Sequence, residues 1–318
     1  MHKSGSRLAS APVRLGAYAV ILTVALGGGA LVGATIGPDA AADGGGTVAD
    51  PDMEAGTGAG SELPAGLAVS RDGYTLDLRT STGEAGAPDE LALVITGPDG
   101  RPLSDYEVEH DKELHLIVVS RDLAEYAHVH PTRDDTGLWT VDIPAMAPGS
   151  YRVFADFTPA GADGLTLGAD LTVPGDSAPV PLPAASSAVT VDGYRVSFDG
   201  ALVAGTESEV TVTVTRDGEP VTDLDPYLGA LGHLVAIRDG DLAYLHVHPL
   251  ETATGPGGPA VRFAVEVPTA GTYGLYFDFS HDGTVRTAPV IAEAVQPDAE
   301  PATDDGGPST DAHDEHGG

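Results

Sequence analysis

The chain contains no cysteine. Disulfides, zinc–thiolate sites and blue-copper centres are thereby excluded, because each needs a Cys sulfur. Methionine is scarce too: Met1, Met53 and Met146 are far apart in sequence, which gives no thioether cluster for cuprous ion. Positive charge is thin, with 15 Lys and Arg against 48 Asp and Glu and a formal net charge of −33. A nucleic-acid partner needs a basic patch to displace counterions from phosphates, and none is visible. Aromatics make up 5% of the residues, whereas glycine (42) and proline (25) are abundant. No G-x-S-x-G motif or phosphate loop is present. Any metal chemistry therefore falls to imidazole and carboxylate.

One long uncharged run stands out, "LGAYAVILTVALGGGALVGATI" at 15–36. It is long enough to cross a bilayer as a helix. Lys3, Arg7 and Arg14 precede it and no acidic residue does, so residues 1–14 are expected in the cytoplasm and the rest outside the membrane. The rival is a signal peptide cleaved near Ala40-Ala41-Ala42, which would release the protein. Residues 37–66 and 297–318 are rich in Ala, Gly, Asp and Glu, and both are expected to be disordered. The second of these carries His313 and His316.

Between the spacer and the tail the sequence repeats. "RDGYTLDLRT" at 71 is answered by "VDGYRVSFDG" at 191, and "APGSYRVFADF" at 147 by "TAGTYGLYFDF" at 269. The offset stays near 120 residues, which marks a tandem duplication of one domain. Tyr194, Val196 and Phe198 alternate with polar residues, as do Val210, Val212 and Val214. Short alternating runs broken by Asp-Gly turns predict two Ig-like antiparallel β-sandwiches, an all-β fold. Their expected spans are 67–176 and 187–296, joined by a proline-rich linker at 177–186.

Both repeats carry His-x12-His-x-His-Pro: His115, His128 and His130 in the first, His233, His246 and His248 in the second. A two-residue turn at Asp239-Gly240 would set His233 opposite His246. The same register in the first repeat would set His115 opposite His128. Opposed residues share a face, so each hairpin is expected to gather three imidazoles, the start of a Cu(II), Zn(II) or Ni(II) site. Asp156 and Asp278 occupy matching positions and are expected to orient histidines as outer partners. His110 and His281 are candidate fourth ligands for the first and second repeat. Such a site would fail below about pH 6, since a ligand imidazole must be neutral.

"HDKELHLIVVSRDLAEYAHVHP" (110–131) and "PYLGALGHLVAIRDGDLAYLHVHP" (226–249) resemble bacterial secreted or membrane-anchored Ig-like modules related to the YtkA-like domains. The resemblance implies an extracytoplasmic β-sandwich associated with heavy-metal, especially copper, handling. The expected function is a membrane-anchored, extracytoplasmic binding protein for a divalent transition metal, Cu(II) preferred and Zn(II) possible. It would buffer, sense or deliver the ion, without enzymatic turnover, to a metal transporter or another extracytoplasmic protein. The alternatives are an adhesion or scaffold module with structural histidines, and a metal-dependent oxidoreductase.

Overall fold

The computed structural model describes residues Pro64–Pro297, His246 excepted. The expected membrane helix, most of the acidic spacer and the tail beyond residue 297 lie outside the described residues. Among the described residues no helix is long and apolar enough to cross a membrane, and every regular element longer than a turn is a strand.

Each repeat is an Ig-like sandwich of two sheets. In the first, one sheet runs in the order Ser70–Arg71, Tyr74–Leu78, Asp89–Thr96, Trp139–Ile143, Thr132–Arg133; the other runs Tyr126–Val129, His115–Ser120, Gly149–Phe157, Leu165–Val173. In the second, Ala188–Val191, Tyr194–Asp199, Glu207–Arg216, Ala260–Glu266 and Val247–Pro249 form one sheet. Leu202–Val203, Thr284–Val295, Gly271–His281, His233–Arg238 and Tyr244–Leu245 form the other. Period-two alternation drives the outer strands: Val210, Val212 and Val214 are buried while Thr211 and Thr213 are half-exposed. The first core packs Leu91, Leu93 and Trp139 against Leu116, Val118 and Val153; the second packs Val196, Val212 and Phe263 against Leu234, Leu275 and Phe277.

A third apolar cluster lies between the repeats, where Ile117, Val119 and Phe154 meet Val235, Ile237, Tyr244 and Tyr276. Tyr126 stacks on Tyr276 with ring centroids 4.0 Å apart and planes at 6°, and Tyr244 packs on Phe154 at 5.5 Å. Tyr126 matches Tyr244 in the duplicated sequence, and Phe154 matches Tyr276. The exchange is therefore reciprocal, as across an approximate two-fold axis. His115–Ser120 and His233–Arg238 consequently bury both faces, one toward the sandwich core and one toward the other repeat.

The end of the expected spacer and the linker are tied into this assembly. Ala65 bridges to Tyr244, Gly66 N–H donates to the Thr166 carbonyl, and Val180 N–H donates to Asp122 Oδ2 at 2.7 Å.

Candidate metal centre

In the first repeat the hairpin pairs Ile117 with His128 and Leu116 with Val129. His115 is thus not opposite His128; the pairing is two residues off the expected register. The cause is the turn. Ser120 Oγ donates to Asp122 Oδ1 at 2.6 Å, Ser120 N–H reaches the Glu125 carbonyl, and Leu123 takes a positive φ of 60°. These contacts hold four residues in the loop instead of two. A shift of two leaves the face unchanged, so the three rings still meet. His115 lies 5.3 Å from His128 and 5.0 Å from His130 between centroids, and His128 lies 4.8 Å from His130.

In the second repeat the described members of the expected set, His233, His248 and His281, are not brought together. Arg238 binds Asp241, whose Oδ1 also accepts Ala243 N–H at 3.1 Å, and Leu242 takes φ 61°. Asp239-Gly240 is therefore part of a longer loop, and Ala236 pairs with Leu245. Val247–Pro249 crosses to the other sheet, where the exposed His248 pairs with Ala264. Leu245 and Val247 both insert into the sandwich core. His246 lies outside the described residues. His281 is engaged elsewhere, with Tyr194 Oη at 2.7 Å from Nδ1 and Asp223 Oδ1 at 3.1 Å from Nε2. It is not a fourth ligand of a second site.

His233 instead joins the first repeat's histidines across the interface. It stacks on His115 at 5.6 Å with planes at 4°, and its ring lies 4.8 Å from His128. His110 borders the group, 6.0 Å from His115 and 5.7 Å from His233. Asp278 serves the opposite repeat from the one expected: its Oδ2 accepts His128 Nδ1–H at 2.8 Å, while Thr287 holds its Oδ1. Asp156 also faces the other repeat, accepting Tyr244 O–H at 3.3 Å and Thr166 O–H at 2.8 Å.

The ring nitrogens of His115 and His128 have their tautomers set from outside. His115 Nε2 faces the Glu109 carbonyl at 3.1 Å, an acceptor only, so its proton sits there and Nδ1 is bare. His128 Nδ1 faces a carboxylate, so its proton sits there and Nε2 is bare. These two bare nitrogens, His115 Nδ1 and His128 Nε2, are 3.1 Å apart. Two lone pairs at that distance repel unless a proton or a metal ion lies between them. A metal ion binding both at 2.0–2.1 Å would hold them about 2.9–3.4 Å apart. His130 Nε2 and His233 Nδ1 are buried without a hydrogen-bond partner.

Burial dominates the electrostatics. It holds His115 down at about 3 and His130 at about 2, with His128 adding to both, and it pushes His233 well below the ordinary imidazole value. His115, His130 and His233 are therefore neutral in the folded chain well below pH 6, and the pH limit read from an ordinary imidazole does not apply to these three. One donor atom from each of His115, His128 and His130 falls within 4.8 Å of the others, and the same holds for His128, His233 and Asp278. The first of these groups is the one the spacing predicts; the second, across the repeats, is not.

Fold and duplication together define a tandem Ig-like β-sandwich protein. The model of one family, a domain of unknown function, DUF8832, matches it twice, over residues 68–173 and 189–296. The chain belongs to that family. A search of curated proteins gives no match. Among solved structures it is similar to FdeC, an Escherichia coli adhesin, at 16% identity and TM-score 0.24, covering 72% of this chain and 66% of that one. It is similar also to the Yersinia pseudotuberculosis adhesin InvE, at 13% identity and TM-score 0.22, covering 71% and 60%. A Salmonella alpha-2-macroglobulin mutant matches at 15% identity and TM-score 0.26, covering 73% and 15%. The chain thus spans less than two thirds of each of these. At such scores the likenesses carry no functional argument.

Proposed function

We propose that this protein binds a divalent transition metal through His115, His128 and His130, as an extracytoplasmic buffer, sensor or delivery module without turnover. The observation that carries the reading is the pair of bare nitrogens, His115 Nδ1 and His128 Nε2, facing each other at 3.1 Å. The outer partners support it. A backbone carbonyl behind His115 and a carboxylate behind His128 are what ligand imidazoles commonly use to fix their tautomer. An all-imidazole donor set suits Cu(II), Zn(II) and Ni(II), and Cu(II) stands highest in the general affinity order. The apolar run at 15–36, preceded by Lys3, Arg7 and Arg14, supports anchoring with the sandwiches outside the membrane.

A second reading rests on the same two nitrogens. A proton placed between them makes His128 an imidazolium paired with Asp278, both side chains only 2% exposed. The cluster is then a polar plug in a scaffold module. Cu(II) titration of the purified full chain separates the two, with His2, His313 and His316 replaced by Ala to remove weak sites. Metal binding requires saturation at low stoichiometry that His115→Ala abolishes. The scaffold reading requires no saturable binding.

A further inference from the structure

The three first-repeat imidazoles do not close the site by themselves. His233, 8% exposed, lies over them from the second repeat with its Nδ1 unpartnered, and Asp278 holds His128 from the same side. His128, His233 and Asp278 form a ligand group of their own that shares His128 with the first. Around this polar end the interface is apolar: Ile117, Val119 and Phe154 against Val235, Ile237 and Tyr276. Bringing the repeats together in the absence of a cation leaves His130 Nε2 and His233 Nδ1 buried without partners, and each such group carries its desolvation cost uncompensated. A cation coordinated by rings from both repeats removes that penalty.

Building on the metal-binding reading, we propose that the bound ion is shared by the two repeats, with His233 completing its coordination. Metal occupancy and face-to-face packing of the sandwiches are then thermodynamically linked. The second repeat spends His233 on the first repeat's site, and its own His248 is exposed on the other sheet. The shared site holds one ion.

The test uses Zn(II), which is redox-silent, on the full chain with His2, His313 and His316 replaced by Ala. Amide hydrogen exchange is followed with and without the ion, and affinity is measured for the same chain and for its His233→Gln variant. Shared coordination predicts that Zn(II) raises protection in both His115–Ser120 and His233–Arg238. His233→Gln, which keeps side-chain bulk, should bind at least tenfold more weakly. Protection confined to the first repeat overturns the inference and leaves the metal-binding reading standing, as does undiminished affinity in His233→Gln. No Zn(II) binding to the parent chain overturns both. Because the exchange experiment on the parent needs no interface substitution, a variant that fails to fold does not affect it.

Discussion

His128 of the first repeat donates from Nδ1 to the carboxylate of Asp278 in the second, at 2.8 Å and across 150 residues of sequence. This bond fixes the His128 tautomer and turns Nε2 toward His115. Outer-partner substitutions of this kind typically cost 10–100-fold in metal affinity. Asp278→Ala should therefore weaken Zn(II) binding by about that factor and leave the fold intact. Isothermal titration and far-UV circular dichroism read both quantities. Unchanged affinity would mean that the bond does not orient a ligand.

The pH dependence of the metal-free chain follows from burial. His115 is held down at about 3 in the folded protein, whereas an unfolded imidazole takes its proton near 6.5. Below about pH 6.5 the unfolded chain binds a proton that the folded chain excludes, so stability falls as pH drops. His115 alone contributes a slope of about 1.4 kcal/mol per pH unit between roughly 6.5 and 3. Above that window the contribution is constant. Urea midpoints from pH 8 to pH 5 should show a plateau and then a decline, with a shallower decline in His115→Gln. A flat profile to pH 5 would contradict the burial argument.

Packing between the repeats makes its own prediction. Ile117 is fully buried in the interface cluster and not in the core of its own sandwich. Ile117→Ala should cost about 2–5 kcal/mol, the usual range for a buried truncation. Chemical denaturation gives the value directly. A change well below 1 kcal/mol would mean the two faces are not in stable contact.

His130 and His248 hold the same place in the repeated motif but different environments, one half-buried with its enclosed Nε2 unpartnered and the other exposed on a different sheet. His130→Ala should lower metal affinity at least tenfold, while His248→Ala should leave it within twofold. Equal losses would restore a two-site arrangement.

The sandwiches were legible because alternation such as Val210, Val212 and Val214 directly encodes which face is buried. The ligand histidines of the first repeat were legible through their spacing, which survives a two-residue error in register because side-chain direction repeats every two residues. Loop length was not legible. It depends on Asp122 and Asp241 capping their turns and on leucines at positive φ, where leucine is rarely found. The shared site is not legible from either repeat alone, because its ligands come from both. A signal was present: "HLIVVS" at 115–120 is apolar on both faces, which a strand with one solvated face does not need. Nothing in the repeated motif distinguishes His248 from His130; Leu245, standing where the first repeat has Ala127, is the local difference.

The most direct test of the central claim is Cu(II) electron paramagnetic resonance on the full chain lacking His2, His313 and His316. A shared imidazole site predicts one bound Cu(II) per chain with hyperfine structure from at least three nitrogens. His115→Ala and His128→Ala should each abolish that signal, and His233→Gln should reduce the nitrogen count by one. A spectrum of aqueous Cu(II), or a nitrogen-ligated signal unchanged in His128→Ala, would contradict the account.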